Sequence, residues 1–211
     1  MRNKEKDAAQ IAAKKIAIMK ESFKLFSEHG IEAVTMPQIA DASGVARASI
    51  YRYYATKLDL VVAISTLVWE KNTIEARDKV RAASMTAAEQ YEFFLQNFID
   101  LYREHSDILR FNQFFNVYLA NHKPNAEVIE PFTQVIKSLE GMFHNMYSKG
   151  REDGTLKTDI SENEMFSSSL HLMLAAVTRY AIGLVYNDGV DPEHELLLLK
   201  DMLMERYTQK N

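Results

Sequence analysis

Apolar residues recur at spacings of three and four along nearly the whole chain, and strict alternation is scarce. That pattern predicts helices and not strands. The seven glycines and four prolines fall mostly between the periodic segments, as breaks should. The expected fold is all-α, with about nine helices. The first covers about 6–29, with Ile11, Ile18, Met19, Ser22, Leu25 and Phe26 on one face and Gly30 ending it. The second covers about 36–42. Thr35 precedes it as a cap, Gln38 stands at capping-box spacing, and Pro37 occupies the first turn, where its missing N–H costs nothing. Gly44 turns the chain and Val45 fills the angle. A third helix then covers about 46–54, with Ile50 and Tyr54 on its inner face. Longer helices are predicted from Lys57 to Ala83 and over 86–104, 107–121, 125–149, 161–187 and 192–208. No internal repeat or low-complexity tract interrupts them.

Helix, short glycine turn, helix is the helix-turn-helix arrangement, whose second helix enters the major groove of DNA. The third helix here holds Arg47, Arg52, Tyr51, Tyr53 and Tyr54 within eight positions. So much hydrogen-bonding and aromatic surface does not suit a core helix; it suits one lying against a polyanion. The net charge of −4 at first argues against DNA, but the charge is unevenly spread. Residues 1–57 hold ten Lys/Arg against six Asp/Glu, and the rest hold fifteen against twenty-three. A basic head on an acidic body is the asymmetry expected when one end meets nucleic acid. The basic stretch Arg2–Lys6 reads more readily as a frayed solvated end than as an arm along the DNA.

Composition narrows the chemistry. With no cysteine there is no disulfide framework and no thiolate metal site. The six histidines are scattered without HExxH spacing, and no P-loop, GxGxxG or GxSxG is present. No catalytic constellation, metal or cofactor is expected. Residues 1–10 do not read as a signal peptide, and the longest apolar run, Leu170–Val185, is too short for a membrane span and contains Arg179. A soluble cytoplasmic protein without a membrane partner is expected.

Residues 11–61 as a whole resemble the DNA-binding domain of the TetR family of transcriptional regulators. The stretch IMKESFKLFSEHGIEAVTMPQIADASGVARASIYRYYATKLDL carries the likeness. Leu25, Phe26 and Gly30 match the end of the family's first helix. Thr35, Ile39, Ala40, Ala42, Gly44 and Val45 match its second helix and turn. Ile50, Tyr51, Tyr53, Tyr54 and Lys57 match the end of the recognition helix and the start of helix four. Ala46 stands where the family often has Ser or Thr as a cap.

The resemblance implies a three-helix DNA-binding domain over 1–57 and a helical ligand-binding and dimerisation domain over 58–211. The docking geometry of a recognition helix makes Arg47 the candidate guanine contact, with Ser49 and Arg52 next and Ala48 toward a thymine methyl. Tyr51 is placed for base or backbone. Tyr53 and Lys57 match family positions that bind phosphate, and Thr35 and Gln38 stand at a helix N-terminus where another phosphate can be held.

Family members act as dimers on near-palindromic double-stranded DNA, pairing their last two helices in a four-helix bundle. The corresponding residues here are Ser168, Leu172, Ala175, Ala176, Arg179, Leu196, Leu199, Met202 and Leu203. The resemblance further implies a cavity for a small-molecule inducer among helices five to eight. Trp69, Phe98, Tyr102, Phe114, Tyr118, Phe143 and Met173 are its candidate lining, suited to an apolar or aromatic ligand. The expected function is a repressor released from its operator by that ligand. An activator or partner-switched regulator of the same family, and a helical small-molecule-binding protein or enzyme without operator binding, stand as alternatives.

Overall fold

A computed structural model of the chain describes residues 4–82, 84–184, 189 and 191–209. Among the described residues there are nine α-helices and no strand beyond one isolated bridge, Leu156–Thr208. The helices are α1 (Lys4–His29), α2 (Met36–Ser43), α3 (Arg47–Tyr53), α4 (Lys57–Ala82), α5 (Ala87–Glu104), α6 (Ser106–His122), α7 (Ala126–Asp153), α8 (Glu162–Ala181) and α9 (Pro192–Tyr207). Arg2, the expected end of helix four at Ala83 and the expected residues 185–187 of helix eight lie outside the described residues.

Local signals set most of the boundaries. Thr35 and Gln38 form the expected capping box of α2, and Gly44 closes that helix in the left-handed region at φ 65°. Thr86 and Glu89 make the same box at the start of α5. Thr56 and Asp59 exchange backbone-to-side-chain bonds of 2.9 and 3.1 Å ahead of α4. Asp191 caps α9 with Pro192 at its first position. α7 outruns its expected end at 149 and takes in Gly150, which is buried. A Cβ on Gly150 would lie 2.6–2.8 Å from the Leu156 side chain, so only glycine lets that connection return so closely.

The chain forms two compact units. One comprises residues 1–68 and 110–132, the other 69–109 and 133–211. The first unit therefore continues past the expected cut after Lys57 and takes in most of α6. Its core gathers Ile18 and Phe26 of α1, Ile39, Ile50, Leu60 and Ile64, with Phe111, Phe115 and Tyr118 of α6. Ile11, expected on the packed face of α1, is 44 % exposed, and residues 8–16 are exposed throughout. The periodicity of α1 thus runs further than its packing. The second core gathers Tyr91, Leu95 and Ile99 of α5 with Met165, Met173 and Val177 of α8 and Leu196, Leu203 and Tyr207 of α9. Within it the Tyr91 hydroxyl lies 2.6 Å from Ser169 Oγ, which itself donates to the Met165 carbonyl, so the buried tyrosine hydroxyl has its partner.

Candidate nucleic-acid interface and ligand cavity

α3 is only seven residues long and is held from beneath. Ile50 is fully buried and Tyr54 nearly so, which anchors one face in the first unit's core. Ala46 makes no side-chain cap, so the start of α3 depends on the αL turn at Gly44 and on Val45 N–H donating to the Ala40 carbonyl at 3.1 Å. The opposite face is open. Arg47, Ala48, Tyr51 and Arg52 are exposed, while Ser49 and Tyr53 are half-buried. α3 therefore presents four of its expected DNA-reading residues to solvent together.

Neighbouring groups hold these side chains in place. Arg47 Nη2 donates to Asp41 Oδ2 of α2 at 3.2 Å, with both side chains more than 60 % exposed. An exposed pair of this kind contributes little stability, so Asp41 orients the guanidinium at small cost to releasing it. Arg52 Nη2 donates to the Tyr53 hydroxyl at 3.1 Å and lies over the Tyr53 ring. Thr35 and Gln38 are exposed at the start of α2. Their mutual bonds engage the Gln38 N–H, Pro37 has none to give, and the Ile39 N–H returns to the Thr35 carbonyl. Few backbone donors remain there for a phosphate.

Lys57, expected at a phosphate, has local partners within the chain. Its ammonium turns inward, donating to the carbonyls of Ile31 at 2.8 Å, Val34 at 3.1 Å and Glu32 at 3.4 Å. It also lies 5.5 Å from the centre of the Tyr118 ring. Burial pushes the Lys57 pKa below the ordinary lysine value, partly offset by the Glu32 carboxylate. On its other side Tyr118 stacks on His122, whose Nδ1 is 3.5 Å from Glu32. One ammonium thus ties the α1–α2 connection, the start of α4 and the end of α6 together. No spacing in the sequence announces this, because residues 31–34 and 57 lie more than twenty positions apart.

The second unit contains two adjoining cavities. The first, of about 230 Å³, is walled by Phe93, Phe94, Met142, Phe143 and Met146, with Arg77 at its side. The second, of about 240 Å³, lies by Trp69 and Phe98 and shares Ala76, Phe94, Asn97 and Leu139 with the first. Of the seven residues expected to line a cavity, Trp69, Phe98 and Phe143 do so. The other four lie elsewhere. Phe114 and Tyr118 pack in the first unit, Phe114 facing the tight turn at Gly30. Met173 is fully buried in the second core, and Tyr102 packs its ring on Tyr180. Helical periodicity marks a residue as inward-facing but does not say whether it meets a neighbour or a void.

The last two helices divide similarly. Leu172, Ala175 and Met202 are exposed, as is Leu198, which the sequence did not single out. Ser168, Ala176, Arg179 and Leu199 are half-buried. Leu196 and Leu203, expected at the interface, are buried inside their own chain's core. In a run such as ELLLLKDMLM every face is apolar, so sequence alone cannot assign the inner one. Among the described residues no group of three acidic or histidine side chains could hold a metal ion, and no helix is long and apolar enough to cross a membrane.

Residues 18–64 match the family model described as bacterial regulatory proteins of the tetR family. Over these residues the chain carries a TetR-family DNA-binding domain. It is 25 % identical over 189 residues to the uncharacterized HTH-type transcriptional regulator YezE of Bacillus subtilis, spanning 84 % of this chain and 89 % of that one. Among solved structures it resembles a putative transcriptional regulator of Saccharomonospora viridis in complex with choline, with TM-score 0.75, 14 % identity, and 93 % and 98 % of the two chains covered. It also resembles the transcriptional regulator FadR of Bacillus subtilis in complex with stearoyl-CoA, with TM-score 0.70, 17 % identity, and 90 % and 95 % covered. These likenesses establish the fold, and the family makes the chain a TetR-family transcriptional regulator.

Proposed function

We propose that this TetR-family regulator is a homodimeric cytoplasmic repressor that binds a palindromic operator through α3 and leaves it when a small molecule enters the second unit. The observation that carries the reading is the open face of α3: a buried Ile50 fixes the helix while Arg47, Tyr51 and Arg52 stand exposed. Arg47 reads a guanine, with Ser49, Arg52 and Ala48 beside it. Tyr51, Tyr53, Thr35 and Gln38 meet backbone or phosphate through their side chains. Lys57 positions the connection before α2 instead of touching DNA.

Dimerisation is supported by the exposed stripe of Leu172 and Ala175 on α8 and Leu198 and Met202 on α9, apolar surface that a second copy would cover. Ligand control is supported by the two cavities, and by neighbours of the same fold that bind choline and stearoyl-CoA. The ligand favours a conformation whose recognition helices no longer match the half-site spacing, which is a population shift. Light scattering on the protein alone and with a random-sequence duplex tests the assembly. The expected result is a dimer that binds DNA in a salt-sensitive way; a monomer with no salt-sensitive DNA affinity contradicts it.

A further inference from the structure

We propose that the first cavity is a carboxylate site, in which Arg77 receives the acid group of a small amphipathic monocarboxylate. The inference rests on the reading above that the second unit takes a ligand, and it names the ligand's chemistry. Arg77 Nε is sealed from solvent without a hydrogen-bond partner, while the side chain as a whole is 41 % exposed, so the outer edge of the guanidinium is the part a ligand can meet. The nearest carboxylate oxygen, of Asp78, is 3.9 Å away, too far for a hydrogen bond, on a side chain 65 % exposed. No Asp or Glu lines this cavity, and Arg77 is the one charged residue among its described lining. Phe93, Phe94, Phe143 and Met142 supply apolar and aromatic wall. The adjoining cavity differs: Glu75, Lys79, Asp100 and Glu104 give it mixed charge.

The guanidinium makes no hydrogen bond within the described chain, and a carboxylate is the group whose geometry best matches its open edge. A neutral ligand offers only a weaker acceptor, and a cationic ligand meets repulsion. Size follows from volume. An apolar cavity of roughly 150 Å³ takes benzene, so about 230 Å³ suits one substituted ring or a short acyl chain beside the acid group.

The test is calorimetric titration of the full chain with 4-phenylbutyrate and with its neutral analogue 4-phenylbutanamide. The acid is expected to bind at least roughly tenfold more tightly than the amide, the difference a charged hydrogen bond makes. Arg77→Gln is expected to remove that preference, and Arg77→Lys, which keeps the charge, to retain part of it. Equal binding of acid and amide, no binding of either, or an undiminished preference in Arg77→Gln overturns the inference. The regulator reading fails separately. If the amide releases bound duplex as well as the acid does, ligand control stands and the carboxylate site falls. If the acid binds selectively yet releases nothing, the site stands and ligand control falls.

Discussion

Replacing Lys57 with alanine separates two roles that a lysine beside a recognition helix can play. The ammonium donates to three carbonyls of the α1–α2 connection, at 2.8, 3.1 and 3.4 Å. Charged hydrogen bonds contribute roughly 1.5–3 kcal/mol each at most. The Lys57 side chain is 20 % exposed, and water can reach part of the connection once the ammonium is gone. The net loss should therefore resemble one such bond, about 2 kcal/mol. Urea unfolding followed by circular dichroism reads this as a lower midpoint for the first unit. The sole tryptophan, Trp69, belongs to the second unit, so its fluorescence should move less. DNA affinity should fall because the connection into α2 loosens, but its salt dependence should stay. Each lost phosphate contact lowers the slope of log affinity against log salt by roughly 0.9. An unchanged slope with reduced stability is the expected outcome. A slope lowered by about 0.9 with stability intact would show that Lys57 leaves its carbonyls for a phosphate, and the positioning role would be refuted.

Arg47→Ala should abolish the preference for one base at one half-site position, about 1–3 kcal/mol by competition with mismatched duplexes; uniform weakening across all sequences would place the guanidinium on the backbone. Gly150→Ala should destabilise the second unit by roughly 1–3 kcal/mol, since the new methyl meets Leu156 from Cδ1 through Cγ to Cβ and turning the tip aside would not clear it; an unchanged thermal midpoint would deny the close approach. Met202→Glu together with Leu198→Glu should convert a dimer to monomer in sedimentation equilibrium with helicity intact, and an undisturbed dimer would put the interface elsewhere. Asp153 governs an acid limb of stability. Burial would raise its pKa, but hydrogen bonds from the Ala87 and Thr155 N–H groups and the Thr155 hydroxyl outweigh burial and hold it below the ordinary value of 3.8. A lowered folded-state pKa contributes stability at pH above 3.8 that is lost as pH falls through the folded value. Asp153→Asn should therefore lower stability at neutral pH and flatten its decline below about pH 4, and a decline as steep as wild type would contradict the assignment.

The parts of this molecule that sequence discloses are those decided locally. Thr35 and Gln38 stand three apart, and the capping box forms as spacing dictates. Gly44 supplies the left-handed turn, and Ile50 and Tyr54 pack inward one helical turn apart. What sequence conceals depends on groups distant along the chain. The inward turn of Lys57 needs three carbonyls in a connection that no periodicity describes. The burial of Leu196 and Leu203 against the exposure of Leu198 and Met202 is settled by α5 and α8 packing on α9, not by the residues of α9. Phe114 and Tyr118 look like ligand wall by composition, yet α6 delivers them to the first unit's core. Arg77 had no distinguishing signal, because one arginine in a mixed-charge helix reads as solvated surface until its surroundings are known.

The most direct test of the central claim is selection of bound sequences from a random duplex library at about physiological salt, with ligand-free protein verified by mass spectrometry. The expected result is enrichment of a palindrome whose half-sites lose one specified base when Arg47→Ala is selected in parallel. A folded, ligand-free dimer that enriches no sequence would contradict it.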